Sequence, residues 1–182
     1  MGQRVDRLFR RRGWTKSTIA QEQSTKTSVG GHIVVVGYGP AGREVVEAAR
    51  EIGLSLIVFD LNSQSVIEAR KLGLEAYVGD ATQPDILRMA RLSQAIALVV
   101  TLPDHRITTA IIVEAKDQCP DLKIVARARH HRYFGLLEGA GATIVVDEEA
   151  QVGRRMSSYI TSTAIARETP KRDDVPKDLH TD

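Results

Sequence analysis

The sequence predicts an α/β domain built on a six-stranded, doubly wound parallel sheet with helices on both faces. Three observations predict it. Short apolar runs alternate regularly with amphipathic stretches; the runs are continuous in Val, Ile and Leu; and glycine closes the first two of those stretches. Unbroken apolar strands are those buried on both faces, as in a parallel sheet covered by helices, and glycine suits the left-handed turn that ends a helix.

The strands are expected at 32–36 (HIVVV), 54–59 (LSLIVF), 75–78 (EAYV), 95–101 (AIALVVT), 123–128 (KIVARA) and 143–146 (TIVV). Between the first two, Pro40 to Ile52 reads as a helix with Ala41, Val45, Ala48, Ala49 and Ile52 on its inner face and Gly53 as its stop. The second helix, Ser63 to Leu72, stops at Gly73 in the same way. Thr82 is the expected N-cap of a short third helix, with Pro84 in its first turn and Asp85 favoured by the positive helix end. Further helices are expected over 105–118, 131–139 and 148–166, which completes a βαβαβαβαβαβα order.

The 182 residues suit one domain with tails, and 42% hydrophobic against 26% charged residues supply a core without an excess of charge. Residues 1–30 carry seven basic and two acidic side chains, a net +5 that exceeds the +2 of the whole chain. Within them VDRLFRRRGW spaces Val5, Leu8 and Phe9 helically among arginines, a pattern able to lie on an anionic membrane surface, and 15–30 read as a flexible linker. The folded domain is expected over 31–166, followed by a polar, disordered tail at 167–182. That central region holds 14 basic and 16 acidic residues, and aromatics are only 4% of the chain, which argues against nucleic acid as a partner. The single cysteine, Cys119, leaves no internal disulfide framework and suits a reducing cytoplasm. The longest nearly apolar stretch, Ala95 to Leu102, is far below the roughly 20 residues that cross a bilayer.

Chemistry concentrates at Gly37-Tyr38-Gly39-Pro40-Ala41-Gly42, between the first strand and the first helix. In a Rossmann sheet, Gly37 permits the tight turn, Gly39 lets backbone approach a phosphate, and Gly42 lets helix pack on strand. The free amides of the helix start then bind an anion. The second strand ends at Asp60, where a carboxylate accepts hydrogen bonds from a ribose diol and repels a 2′-phosphate; Leu61 follows beside it. Asp80 and Ala81, after the third strand, border the adenine on the same carboxyl edge, or Asp80 only helps start a helix. Thr101, Leu102 and Pro103, after the fourth strand, line the cleft.

Arg127 and Arg129 share one face of the fifth strand; near the cleft they would hold phosphate or a partner's carboxylates, and elsewhere they are surface ion pairs. Asp104-His105-Arg106 reads as a helix cap more readily than as an acid–base site. His130, His131 and Cys119 read as structural, and no catalytic or metal-ligand spacing stands out. On the last helix Ala150, Gly153, Met156 and Ile160 form a stripe suited to a second copy or to the helix's own sheet.

The set HIVVVGYGPAG, VFD (58–60), YVGDAT (77–82), VARAR (125–129) and GAGATIVVDEE (139–149) resembles the N-terminal regulator-of-potassium-conductance domain, RCK-N or TrkA-N, over about residues 31–160. It looks most like the cytosolic C-terminal domain of Kef-type potassium/proton antiporters, in particular their YbaL-like branch, given TLPDH after the fourth strand. The resemblance implies a homodimer that binds AMP or NAD(H) at the glycine loop and gates cation flux by an attached or partner membrane antiporter, at the inner face of the cell membrane. ATP is less favoured, since many relatives carry an arginine where this chain has Pro40. It implies that the basic N-terminal segment is the cytoplasmic exit of a transmembrane helix, that Gly37, Gly39, Gly42, Asp60 and Asp80 hold the ligand, and that the domain is not an enzyme. The alternatives are an NAD-dependent oxidoreductase, an S-adenosylmethionine-dependent methyltransferase, and a scaffold whose loop is vestigial.

Overall fold

The computed structural model describes residues 31–168, with side chains to Ala164. The basic segment and linker expected at 1–30, and the tail expected at 167–182 beyond Glu168, lie outside the described residues. In chain order the elements are β1 His32–Val36, α1 Pro40–Glu51, β2 Ser55–Asp60, α2 Ser63–Lys71, β3 Glu75–Val78 and α3 Pro84–Met89, then β4 Ala95–Val100, α4 His105–Gln118, β5 Ile124–Ala128, α5 Phe134–Gly139, β6 Ile144–Asp147 and α6 Glu148–Glu168. Short 3₁₀ turns at Leu92–Gln94 and His131–Tyr133 lead into β4 and α5.

All six strands are parallel, in the order β3-β2-β1-β4-β5-β6. The predicted doubly wound sheet is therefore the observed one, and the strand order reverses between β1 and β4. Val36 pairs with Phe59 on one side and Val100 on the other, and Val100 pairs with Ala126. The next residue of each strand thus falls in one row along the carboxyl edge: Asp60, Gly37, Thr101 and Arg127. Ligands of open α/β sheets bind at such a reversal.

The core lies on the two sheet faces. Val34, Val36, Ile57, Phe59, Leu98 and Ile124 pack with α3, α4 and α5 on one face; Ile33, Val35, Leu56 and Val58 pack with α1 and α2 on the other. Fully burying one such side chain contributes about 1.5–3 kcal/mol. Among the described residues the second face is only half covered: α1 and α2 overlie β1 to β3, while Val125, Ile144 and Val146 of β5 and β6 remain partly exposed on their strands.

Two local expectations are corrected, and of the two readings left open for the last helix one is removed. The residues of α1 that are fully buried are Gly42, Val46 and Ala49; Ala41, Val45 and Ala48 are half-buried and Ile52 is exposed, so the inner face is rotated by one residue. Gln83, not Thr82, is the N-cap of α3; Thr82 is turned back, its N–H and Oγ1 both donating to Asp80 Oδ1 at 3.0 and 2.7 Å. The last helix does not pack on its own sheet, because every described side chain from Gln151 to Ala164 is exposed. Gly53 and Gly73, at φ +76° and +78°, make the predicted left-handed turns after α1 and α2.

Candidate functional site

The glycine loop connects β1 to α1 and is held from three sides. Gly37 sits at φ +96°, and a Cβ there would meet Thr101 Oγ1 at 2.6 Å. The Thr101 hydroxyl, itself buried, donates toward Gly37 O at 2.9 Å and Val36 O at 3.2 Å. Gly42 is tighter still, since a Cβ would lie 2.0 Å from Gly37 O. Gly39 is different: its backbone is ordinary and extended, at φ −75° and ψ −168°, and nothing lies within 4 Å of a Cβ built there. Two of the three glycines are thus required by the fold, and the third faces open space.

Gly39 is also the N-cap of α1, and it supplies no side chain to the helix start. Pro40 has no N–H, and the first turn of a helix has no intrahelical acceptors, so the amides of Ala41 and Gly42 point outward from the positive end of the helix dipole. The first turn carries no acidic side chain. A donor cradle beside an open space, with no carboxylate of its own in that turn, fits a phosphate.

Asp60 stands at the far side of the loop. Its Oδ2 accepts the Tyr38 N–H at 2.5 Å and its Oδ1 the Asn62 N–H at 2.7 Å. Each carboxylate oxygen has a second acceptor direction, so Asp60 can fasten the loop and still receive a ribose hydroxyl. Tyr38 contributes its amide and carbonyl only: the ring is buried against the α1 and α2 side, with the Arg43 guanidinium 5.4 Å above it. Arg43 is in turn paired with Glu68 on α2 at 2.6 Å. Leu61, 68% exposed, stands next to Asp60 as an apolar platform.

The remaining predicted residues divide. Asp80 is engaged in its own turn, and the Thr82 hydroxyl and amide hold its carboxyl below the usual range; Ala81 is a core residue. Leu102 packs beneath Gly37, and Pro103 is exposed above it. Asp104 caps α4 by accepting from the amides of Arg106 and Ile107, which lowers its pKa. His105 lies face to face with the Tyr133 ring, centroids 3.5 Å apart, and is committed to that stack. Arg129 is exposed on β5's end, whereas Arg127 turns toward Thr101 and its Nη1 donates to that residue's carbonyl at 3.2 Å.

What the sequence reading missed is the junction of β6 and α6. Three consecutive acidic residues there each hold a basic one: Asp147 with His131 at 2.5 Å, Glu148 with Arg127 at 2.6 Å, and Glu149 with His130 at 2.8 Å. Asp147 also caps α6, and the Ala150 amide first and His131 second hold its carboxyl below the usual range. Glu149 is lowered by His130 and then by the His131 amide. The signal available beforehand was the DEE run following the last strand; its partners lie 16 to 21 residues earlier and are brought near by the pairing of β5 with β6.

Beside this junction an open groove of about 260 Å³ runs along the uncovered half of the sheet, lined by Ala41, Val45, Val99, Val125, Arg127 and Glu148 among others. Its far wall is the start of α1, so the groove and the glycine loop adjoin. Among the described residues no three His, Cys, Asp or Glu side chains are grouped to hold a metal, and no helix is long and apolar enough to cross a membrane.

Comparison with known proteins follows the same outline. The family model described as "TrkA-N domain" matches residues 33–148. The chain is 28% identical over 141 residues to the candidate cation/proton antiporter YbaL of Escherichia coli K12, a match that takes in 78% of this chain and 25% of that protein. It therefore spans about a quarter of that relative's length. The crystal structure of the TrkA-N domain of the E. coli inner membrane protein YbaL superposes with a TM-score of 0.70 at 28% identity, covering 74% of this chain and 99% of that one. The Kef C-terminal domain of Shewanella denitrificans, in its AMP-bound form, shares the fold with a TM-score of 0.65 at 23% identity, covering 73% of this chain and 80% of that one.

Proposed function

The chain belongs to the TrkA-N domain family, and from that premise we propose that it is a nucleotide-sensing regulatory domain: it binds an adenine nucleotide, AMP or NAD(H), and biases cation transport by a membrane antiporter to which it is attached or bound. The observation that carries the nucleotide reading is the contrast among the loop glycines, of which only Gly39 has nothing within 4 Å of a Cβ built on it. Phosphate would rest on the amides of Ala41 and Gly42, ribose on Asp60, and the base against Leu61, with Thr101, Leu102 and Pro103 closing the β4 side. AMP is the ligand of the Kef domain of the same fold, and the antiporter partner comes from the name of the YbaL relative.

The second element of the proposal is a homodimer. The chain carries an exposed helix with Val152, Met156, Tyr159 and Ile160 at 52 to 71% exposure, and beside it a half-sheet over which no helix of the described residues lies. A second copy supplies both halves of that match, and exposed apolar groups of this size mark an association surface. Met156→Arg is expected to shift the protein to monomer in sedimentation velocity; a dimer of unchanged strength would remove α6 from the interface.

The test of the nucleotide reading is calorimetric titration of ligand-stripped protein with AMP, ATP, NAD, NADH and S-adenosylmethionine. Micromolar binding is about −8 kcal/mol and is readily measured. Heat from S-adenosylmethionine alone would point to a methyltransferase, and no heat from any of them to a scaffold. Against an oxidoreductase, His105 is the convenient proton carrier in the sequence and is stacked on Tyr133. His105→Ala should leave nucleotide affinity within about twofold, the scatter expected of a surface change; a substrate-dependent change in NADH absorbance that this variant removes would contradict the regulatory reading.

A further inference from the structure

The glycine loop and α6 are joined by a continuous polar path. Thr101 Oγ1 bonds to Gly37 O; Thr101 O accepts from Arg127 Nη1; and Arg127 Nε and Nη2 both donate to Glu148 Oε2, at 2.8 and 2.6 Å. Beyond Glu148, Glu149 and Ala150 the side chains of α6 are exposed through Ala164. The direction of α6 is therefore set at its root, and one of the three side-chain pairs holding that root also borders the cleft.

The reach of Arg127 decides what it can sense. A single phosphate on the amides of Ala41 and Gly42 lies above β1, two strand spacings, roughly 10 Å, from β5. The Arg127 guanidinium leans back over β4, as its bond to Thr101 O requires, and so stands about one spacing, roughly 5 Å, from the loop's own strand. A second phosphate, linked to the first and directed along the carboxyl edge, would arrive at the guanidinium. Only one carboxylate oxygen of Glu148 is engaged there, and the pair is partly exposed at 27% and 40%, which makes it a weak competitor for a phosphate.

We propose that Arg127 is a transferable cation: it holds Glu148 at the root of α6 until the second phosphate of a pyrophosphate-bearing adenine nucleotide takes it, so that NAD or ADP loosens α6 and AMP does not. The inference rests on the nucleotide reading above. It gives the domain two ligand responses from one binding loop, because a ligand shifts a conformational balance only through contacts that differ between the two states.

The experiment is titration of the full chain and of Arg127→Gln and Glu148→Gln with AMP, ADP and NAD, with hydrogen exchange read at amides 150–154. Arg127→Gln should weaken NAD and ADP about tenfold, the loss of a charge-assisted bond. Glu148→Gln should tighten both by about two- to fivefold, since it removes the competitor. AMP should change little in either variant. NAD should speed exchange at 150–154 in the unmodified protein, and Glu148→Gln should show that faster exchange without ligand. If both variants weaken NAD, the pair is structural and the proposal fails while nucleotide binding stands; the same holds if AMP moves with NAD, or if NAD binds without changing the exchange. An effect of NAD that ADP does not share would place the contact on the second nucleoside and overturn the pyrophosphate assignment. If no nucleotide binds the unmodified chain, the nucleotide reading itself falls, and this inference with it.

Discussion

Gly42→Ala is expected to destabilise the domain by about 3 kcal/mol or more, at the upper end of what overpacking costs. The new Cβ would lie 2.0 Å from the carbonyl oxygen of Gly37 and 2.9 Å from its carbonyl carbon. Both are backbone atoms of a turn that Thr101 and Asp60 also hold, so relief requires α1 to move off β1. Val46 and Ala49 on that helix are buried against the sheet, and a shift would open the face they cover. Urea unfolding measures the loss directly; a midpoint within error of the unmodified protein would mean that the loop yields, and that its geometry is not imposed by helix-on-strand packing. Gly39→Ala, by contrast, meets nothing within 4 Å and keeps an ordinary extended backbone, so its midpoint should hardly move.

Asp60→Ala is expected to have the largest effect on binding and a measurable one on stability. Removing the carboxylate deletes the ribose acceptor, and two charge-assisted hydrogen bonds correspond to at least about a hundredfold in affinity. It also strands the Tyr38 N–H, which belongs to a buried residue, at a cost of about 1–3 kcal/mol. The second effect confounds the first, because a loosened loop binds poorly whatever becomes of the ribose. Measuring both unfolding and affinity in Asp60→Ala and Asp60→Asn separates them. The Asp60→Asn side chain keeps one acceptor oxygen and should recover part of the stability, but it places an amide donor where the ribose hydroxyl donates, so affinity should stay low. Affinity recovering in step with stability would show that Asp60 acts only by fastening the loop.

The elements of this fold that are legible in the sequence are those specified locally. The continuous Val and Ile runs of β1, β2 and β4, the glycines at 53 and 73, and the strand–GxGxxG–helix order each depend on neighbours a few residues apart. The inner face of α1 lies one residue from where its pattern puts it because Ala41, Ala48 and Ala49 give a weak apolar stripe, and the close approach at Gly42 sets the helix's rotation instead. Thr82 reads as a cap because nothing in its spacing shows that Asp80 claims its hydroxyl.

The site divides in the same way. The loop residues and Asp60 follow from spacing, but that Asp60 fastens Tyr38, 22 residues away, emerges only when β1 and β2 lie side by side. The pairing of Arg127 with Glu148 has the same origin. The fate of α6 is open in the sequence for a different reason: a helix with a modest apolar stripe serves its own sheet or a second copy equally well on paper. Its full exposure from Gln151 to Ala164 supports the second copy.

The central claim, that the loop is a nucleotide site and not merely a tight turn, is tested most directly by titrating AMP into the unmodified protein and into Gly39→Val, with the unfolding midpoint of each measured alongside. A Cβ at position 39 meets nothing within 4 Å, so the valine side chain enters the open position of the loop from a point clear of the fold. The account predicts micromolar binding to the unmodified protein, at least about a hundredfold weaker binding to the variant, as loss of the phosphate's two charge-assisted contacts with the Ala41 and Gly42 amides implies, and nearly equal midpoints. Equal affinity in the two proteins, or no binding to either, would contradict it.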